Sequence, residues 1–235
     1  MKAGIIAAGE GSRLKSEGIA TPKPLIPVGG VPLIERLLRS FTRCGISEVV
    51  CIINEDSLQV KQFVEECRLS LPVRFVTKTT PSSMHSLFEL SPHLTDDRFL
   101  LTTVDSIFDE EEFSRFIGHS RQRTSADGVL AVTNYVDDEN PLYAHINASN
   151  QIVEFSDRGS GTTSSWVTGG LYVFSPAIFR EIGTMLDQGA MRLRHFLSHL
   201  VRSGYTLEAF PFSKIVDVDH LQDIQAAETL LRSIS

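Results

Sequence analysis

Three groups of side chains in this sequence could do chemistry together. The first lies in the run A-A-G-E-G-S-R-L, where Gly9 and Gly11 follow a short apolar stretch and Arg13 comes two residues later. Glycines at such a point let backbone amides turn toward an anion with no Cβ in the way. An arginine offers a rigid fork of donors that matches phosphate oxygens. The second is Lys23, in T-P-K-P, where Pro22 and Pro24 restrict the chain on both sides of a mobile cationic side chain. The third is a set of carboxylates far downstream: Asp105 at the end of F-L-L-T-T-V-D, and Asp217 and Asp219 in D-V-D. Cations facing phosphates, and carboxylates able to hold a divalent ion, are what transfer of a phosphorus-centred group requires.

Each group alone has a plainer reading. A Gly-x-Gly after a strand is also a tight strand exit, and a single cation is commonly a solvated surface residue. Asp105 could cap the helix that follows, Asp219 is a good N-cap for the last helix, and Asp223 reads as capping support. The glycine run is not G-x-G-x-x-G, because position 14 is Leu, and it lacks the G-K-[ST] of a Walker motif. The joint appearance of the groups is what points to phosphate chemistry.

The elements that must position these residues follow from periodicity. Residues 4–8 read as a buried strand, and residues 32–44 as a helix with Leu33, Leu37, Leu38 and Phe41 on one face. Further strands are expected at 48–54, 72–77 and 98–105, with helices at 58–67, 83–94 and 110–123 between and after them. This alternation predicts a mostly parallel sheet covered on both faces. The second half has a strand at 127–135, two strands around the turn-rich residues 148–150, and a strand at 165–175 weakened by paired glycines. Helices at 191–202 and 220–233 flank Y-T-L-E-A-F-P-F. No repeat or linker interrupts the pattern, so residues 1–235 are expected to form one domain, whose rhythm changes between residues 1–110 and 111–235. A small β insertion is expected near 134–165, and residues 157–165 as a mobile loop.

The 235 residues are 42% hydrophobic, enough for a sizeable core, and carry a formal charge of −7, which argues against a general nucleic-acid-binding surface. Cys44, Cys51 and Cys67 form no C-x-x-C pair, which reads as core or near-core thiols in a reducing compartment. The opening apolar run is too short for a signal peptide and no 18-residue apolar segment appears, so a cytoplasmic protein without membrane insertion is expected. His85, His195 and His199 do not form a zinc motif: His195 and His199 are one helical turn apart, but H-F-L-S-H lacks the glutamate of H-E-x-x-H. No element supports a covalent serine mechanism.

The text A-A-G-E-G-S-R-L…T-P-K-P-L-I-P-V-G-G-V-P-L-I-E resembles the nucleotidyltransferases that make activated sugars or alcohols from a nucleoside triphosphate and a phosphorylated acceptor. Gly9, Gly11, Ser12, Arg13, Pro22, Lys23, Pro24 and Leu25 fit the opening signature of these enzymes. The resemblance implies a Rossmann-like α/β fold, with a mostly parallel sheet between helices and a small β extension, and with residues 1–110 as a nucleotide-binding half and 111–235 as an acceptor-binding half. It places Ala7, Ala8 and Gly9 beside the base and sugar, Gly11, Ser12 and Arg13 along the phosphates, and Lys23 at the reacting phosphate. In such enzymes a mid-chain aspartate pairs with a late one, and D-V-D-H-L-Q-D-I matches the late segment. Asp105 with Asp217, or with Asp219 as a near-equal candidate, is then expected to hold Mg²⁺.

The acceptor side departs more from the family. S-S-M-H-S-L stands where many members have a Gly-Thr-Ala-type segment at the base, so Ser82, Ser83 and Ser86 take that place, with Ser83 as the nucleotide contact. The same serines resemble enzymes acting on phosphocholine and other small alcohol phosphates. I-V-E-F-S-D-R-G resembles an acceptor-facing segment in which Asp157 and Arg158 replace an acid and a lysine, and T-G-G-L-Y offers Thr168 and Gly169 to the acceptor pocket. Trp166 stacks on a ligand or lines the core. The expected reaction joins an NTP and a phosphorylated small molecule, first a sugar 1-phosphate and second a small alcohol phosphate such as phosphocholine, with release of pyrophosphate. Arg13 and Lys23 are the expected catalytic cations. A nucleotide-sensing regulatory protein without turnover is the alternative from another class. A homo-oligomer is compatible with the sequence.

Overall fold

The structure is a computed structural model that describes residues 1–9, 11–136, 139–159 and 165–234. It opens with β1 (Lys2–Ala7), whose alternating side chains explain the fold at once. Ala3, Ile5 and Ala7 enter one apolar cluster, and Ile6 enters another on the opposite side. A strand with both faces buried must be covered by helices on both sides. The chain provides them with α1 (Ser12–Ser16), the small hairpin of β2 (Pro27–Val28) and β3 (Val31–Pro32), α2 (Leu33–Arg43), β4 (Val49–Ile53), α3 (Leu58–Glu66), β5 (Val73–Thr77) and α4 (Ser83–Leu90). The next run is β6 (Phe99–Thr103), β7 (Ser106–Phe108), α5 (Glu110–Gln122) and β8 (Gly128–Thr133). The rest is β9 (Tyr143–Ile146), β10 (Ile152–Ser156), β11 (Trp166–Phe174), α6 (Ile182–Asp187), α7 (Leu193–Arg202), β12 (Leu207–Phe212), β13 (Ile215–Asp217) and α8 (Leu221–Ser233).

Among the described residues the main sheet has nine strands, along the path β10-β9-β11-β6-β1-β4-β5, with β8 pairing β11 and β12. The β6-β1-β4-β5 block is parallel, as is β8 with β12, while β11 runs antiparallel to β6, β8 and β9. The sheet is therefore a helix-covered, mostly parallel Rossmann-like core with an antiparallel extension. One face packs with Met84, Leu87 and Leu90 of α4 and Phe196, Leu197 and Leu200 of α7. The other packs with Leu37, Leu38 and Phe41 of α2 and Phe113 and Phe116 of α5. A third cluster joins Leu14 to Val28, Val216, Val218, Ala227 and Leu230, beneath the sheet end that carries the candidate site.

The hairpin expected around residues 148–150 is present as β9 and β10, in antiparallel register. Asn147 Oδ1 accepts from the backbone N of Ser149 (2.9 Å) and Gln151 (3.0 Å), and Asn150 adopts φ 60°. This is the turn chemistry that asparagine supplies. Residues 160–164, the middle of the segment expected to be mobile, lie outside the described residues. Two caps differ from the sequence reading. Asp109, not Asp105, caps α5, accepting from the backbone N of Glu111 (2.8 Å) and Glu112 (2.9 Å). His220, not Asp219, is the residue before α8, and Asp223 Oδ2 accepts from the backbone N of Asp219 (2.9 Å) and His220 (2.6 Å). Both corrections release a carboxylate for other work.

Candidate active site

The site is built where β1 and β6 end. Past β1 the chain turns through Gly9 and Gly11 into α1, and Gly11 sits at φ 59°. That left-handed conformation strains any residue with a Cβ, and a Cβ there would also meet Lys23 Cβ at 3.4 Å. The turn, α1 and the T-P-K-P segment wall a cavity of about 340 Å³ with Ala7, Gly9, Gly11, Ser12, Arg13 and Lys23 on its surface, closed by Asp105 and Asp219. Ala8 is buried beside it, and its carbonyl accepts from Asn54 Nδ2 at 3.5 Å.

Lys23 is the hub. Its ammonium donates to both Asp105 Oδ2 and Asp219 Oδ1. Arg13 Nη1 donates to the other oxygen of Asp219 at 2.7 Å. Burial alone would lower the Lys23 pKa, but the Asp105 and Asp219 charges override it and hold the ammonium well above the usual range, so Lys23 is charged. For Asp105 burial pushes up and Lys23 pushes down, and Lys23 prevails.

Asp217 arrives by a device with no strong sequence signal. β13 pairs antiparallel with β7, setting Asp217 opposite Ser106, and the backbone N of Val218 donates to Asp105 O at 3.1 Å. Ser106 Oγ donates to Asp217 Oδ1 at 2.8 Å. Burial, and then the nearby Asp105 charge, push the Asp217 carboxyl up to about 7. A pair of carboxylates held so close is destabilised unless a cation joins them.

A second cavity of about 280 Å³ opens on the far side of Asp105 and Asp217. Thr168, Gly170, Tyr172 and Ser83 line it, with Arg192 and Arg194 at the start of α7. The paired glycines make this wall: between Thr168 and Tyr172 the register of β11 against β8 slips, and Gly170 takes φ 73°. A Cβ on Gly170 would lie 2.6 Å from Ser106 Oγ, and one on Gly169 would lie 2.2 Å from Ile215 Cδ1. The glycines are there to let β7 and β13 close over the strand. Gly169 faces a third, smaller cavity with Arg13, Asp217, Asp219 and His220, which Thr168 shares.

The sequence-derived residues thus divide. Ala7, Gly9, Gly11, Ser12, Arg13, Lys23, Asp105, Asp217, Asp219, Ser83, Thr168 and Gly169 line three adjoining cavities. Asp157 and Arg158 are exposed and line none of the three. Asp157 instead accepts from Arg194 Nη1 at 2.9 Å, and Arg194 Nη2 donates to Asn140 O at 2.7 Å. Ser83, expected at the nucleotide, lines the second cavity and not the one behind the glycine turn, and its Oγ accepts from the backbone N of Leu193 at 3.0 Å, which ties α4 to α7. Trp166 packs against the core cluster. The sequence reading missed Arg192 and Arg194, whose only signal is a pair of cations two apart in M-R-L-R-H-F at a helix start. His199 pairs with Glu181 at 2.7 Å and His195 is exposed. Cys51 is buried and its thiol is pushed up to about 12 by burial, and the cysteines are free.

The oxygen-only donor set of Asp105 and Asp217 suits a hard divalent cation. Asp105 Oδ1 is buried without a hydrogen-bond partner among the described residues, the kind of atom a cation would satisfy. Among the described residues no grouping of three or more Asp, Glu, His or Cys stands ready for a metal. A cation here fits the manner of Mg²⁺, which takes one or two carboxylates and completes its shell with water and substrate phosphates.

Comparison with known proteins places the chain in a family and matches its fold. The chain is 25% identical over 241 residues to the UTP–glucose-1-phosphate uridylyltransferase AglF of Haloferax volcanii, covering 99% of this chain and 97% of that protein. It is 26% identical over 193 residues to the mannose-1-phosphate guanylyltransferase catalytic subunit beta of Xenopus tropicalis, covering 77% of this chain and 52%, about half, of that one. The fold matches the inositol-1-phosphate CTP transferase of T. maritima with a TM-score of 0.81 at 19% identity, over 98% of this chain and 96% of that one. Residues 3–203 match the family model of the MobA-like NTP transferase domain, and the chain belongs to that family.

Proposed function

We propose that this protein transfers a nucleoside monophosphate from an NTP to a sugar 1-phosphate, giving an NDP-sugar and pyrophosphate. The observation that carries the reading is one ammonium, Lys23, meeting Asp105 and Asp219 on the wall of the cavity behind the glycine turn, with Asp105 also lining the second cavity. The cavity behind the glycine turn takes the triphosphate, with Gly9, Gly11, Ser12 and Arg13 along its phosphates. The cavity lined by Thr168, Tyr172, Arg192 and Arg194 takes the acceptor. Arg192 and Arg194 take the acceptor-phosphate role expected of Arg158, since they line the cavity.

A phosphate monoester is ionised near neutral pH, so its oxygen attacks the α-phosphorus without a general base. Catalysis is then positioning and charge neutralisation. Lys23 stabilises charge at the α-phosphate, and Arg13 stabilises the departing pyrophosphate. Asp105 and Asp217 would hold Mg²⁺, which neutralises phosphate charge when bound. Asp219 is the anchor for Lys23 and Arg13. The proposed protein works in the cytoplasm on small molecules, and its charge of −7 disfavours nucleic acid. Among the described residues no helix is long and apolar enough to cross a membrane.

A small alcohol phosphate is the second acceptor reading. It is favoured by the serines that enter α4 in place of the Gly-Thr-Ala-type segment, with Ser83 on the acceptor-side cavity. A pyrophosphate-release screen tests both readings. ATP, CTP, GTP and UTP are crossed with sugar 1-phosphates, phosphocholine and inositol phosphates. Release with a sugar 1-phosphate is expected. Nucleotide binding without release across the panel would overturn the enzyme reading in favour of a nucleotide sensor.

A further inference from the structure

The glycine turn is held at its far end by a residue that touches none of the three cavities. Just past α1, Glu17 reaches across to the start of α8. Its Oε2 accepts from the backbone N of Leu221 at 2.7 Å, and its Oε1 is 2.7 Å from His220 Nδ1. Three contacts in one helical turn therefore bind α1 to residues 218–221: Arg13 to Asp219 at 2.7 Å, Leu14 within the cluster containing Val218, and Glu17 to His220 and Leu221. Positions 13, 14 and 17 share a face of a helix.

The first turn of α8 has donors that need partners. Asp223 takes the backbone N of Asp219 and His220, and Glu17 takes that of Leu221. A carboxylate at a helix N-terminus is also favoured by the helix dipole. Without this grip the segment would hang between glycines at φ 59° (Gly11) and φ 93° (Gly18), where the backbone is freest.

We infer that Glu17 is a positioning residue for nucleotidyl transfer: it locks α1 against α8, so that Gly9, Gly11, Ser12 and Arg13 face the triphosphate cavity before nucleotide arrives. The inference rests on the proposed role of that cavity. It predicts that Glu17 acts through Arg13.

The test is binding of Mg²⁺–pyrophosphate, a probe independent of the nucleobase, to wild type, Glu17→Ala, Glu17→Gln, Arg13→Ala and the Arg13→Ala/Glu17→Ala double variant. The unliganded Tm is read beside it. Glu17 is exposed, so its replacement leaves the core intact. Loss of a charge-assisted anchor predicts about 10-fold weaker binding for Glu17→Ala. Glu17→Gln keeps an oxygen for Leu221 and should restore most of the affinity. In the Arg13→Ala background the Glu17→Ala change should add little, because contacts in one unit are not additive. Wild-type affinity in Glu17→Ala overturns the inference, as does a loss that is additive with Arg13→Ala or that follows a matching fall in Tm. If wild type binds neither pyrophosphate nor any NTP, the cavity assignment itself falls.

Discussion

At the scale of single residues, the site depends on one ammonium shared by two carboxylates. Lys23 donates to Asp105 and Asp219 and stays charged because their fields outweigh its burial. Replacing it with alanine removes the charge proposed to act at the reacting phosphate. The expected loss in kcat/KM is about 100-fold or more, with far-UV circular dichroism unchanged, and unchanged turnover would remove its role. The two late aspartates should separate by phenotype. Asp217→Asn alters the partner of Asp105, so a titration of activity against Mg²⁺ should shift to higher concentration. Asp219→Asn loosens Lys23 and Arg13, so KM for the nucleotide should rise with little change in the metal titration. A reversed pattern would exchange their roles.

At the scale of elements, the bulge in β11 and the packing of α7 carry the argument. A methyl group on Gly170 would press on Ser106 Oγ at 2.6 Å, at a φ of 73° that L-residues avoid. Gly170→Ala should therefore cost about 2 kcal/mol or more in urea unfolding, and should also impair activity by displacing Ser106 from Asp217. Equal stability in urea would contradict the packing argument. On α7, the His199 hydrogen bond holds the Glu181 carboxyl below its usual range. Such a depressed acid contributes stability that is present above its unfolded pKa and lost as pH falls through the lower folded one. Glu181→Gln should therefore melt below wild type at pH 7, and the gap should close as pH drops below about 4.5. A gap that widens toward acid would reverse the sign.

At the scale of the whole molecule, stability and chemistry sit in different places. Phe116 is fully buried between α5 and β12, with ring centroids 5.6 Å from Phe210, 5.7 Å from Phe212 and 6.4 Å from Phe113. Phe116→Ala should cost about 3–5 kcal/mol by cavity formation, measured by chemical denaturation. KM for nucleotide in the surviving folded enzyme should stay near wild type. The site is instead assembled from parts remote in sequence: the β1 exit, the T-P-K-P turn, the β6 exit and the β13–α8 junction.

The strands and most helices were legible in the sequence because their burial is written in period: two faces of apolar residues in β1, β4 and β6, and one apolar stripe in α2 and α7. So were the glycine turn, Arg13, Lys23 and the aspartates, since residue type and local spacing determine which groups can face an anion or a cation. What the sequence could not decide was partnership. Asp219 looked like a helix cap until His220 took that place, and Arg158, expected at the acceptor, lines none of the three cavities, while Arg192 and Arg194 line one. The short β7–β13 pair, the bulge at Gly169 and Gly170, and the grip of Glu17 on α8 have no periodic signature. Each is fixed by contacts between segments about 35 to 205 residues apart in the chain. Local sequence sets the chemistry a side chain can perform, while the closing of distant segments over a common core decides which side chains perform it together.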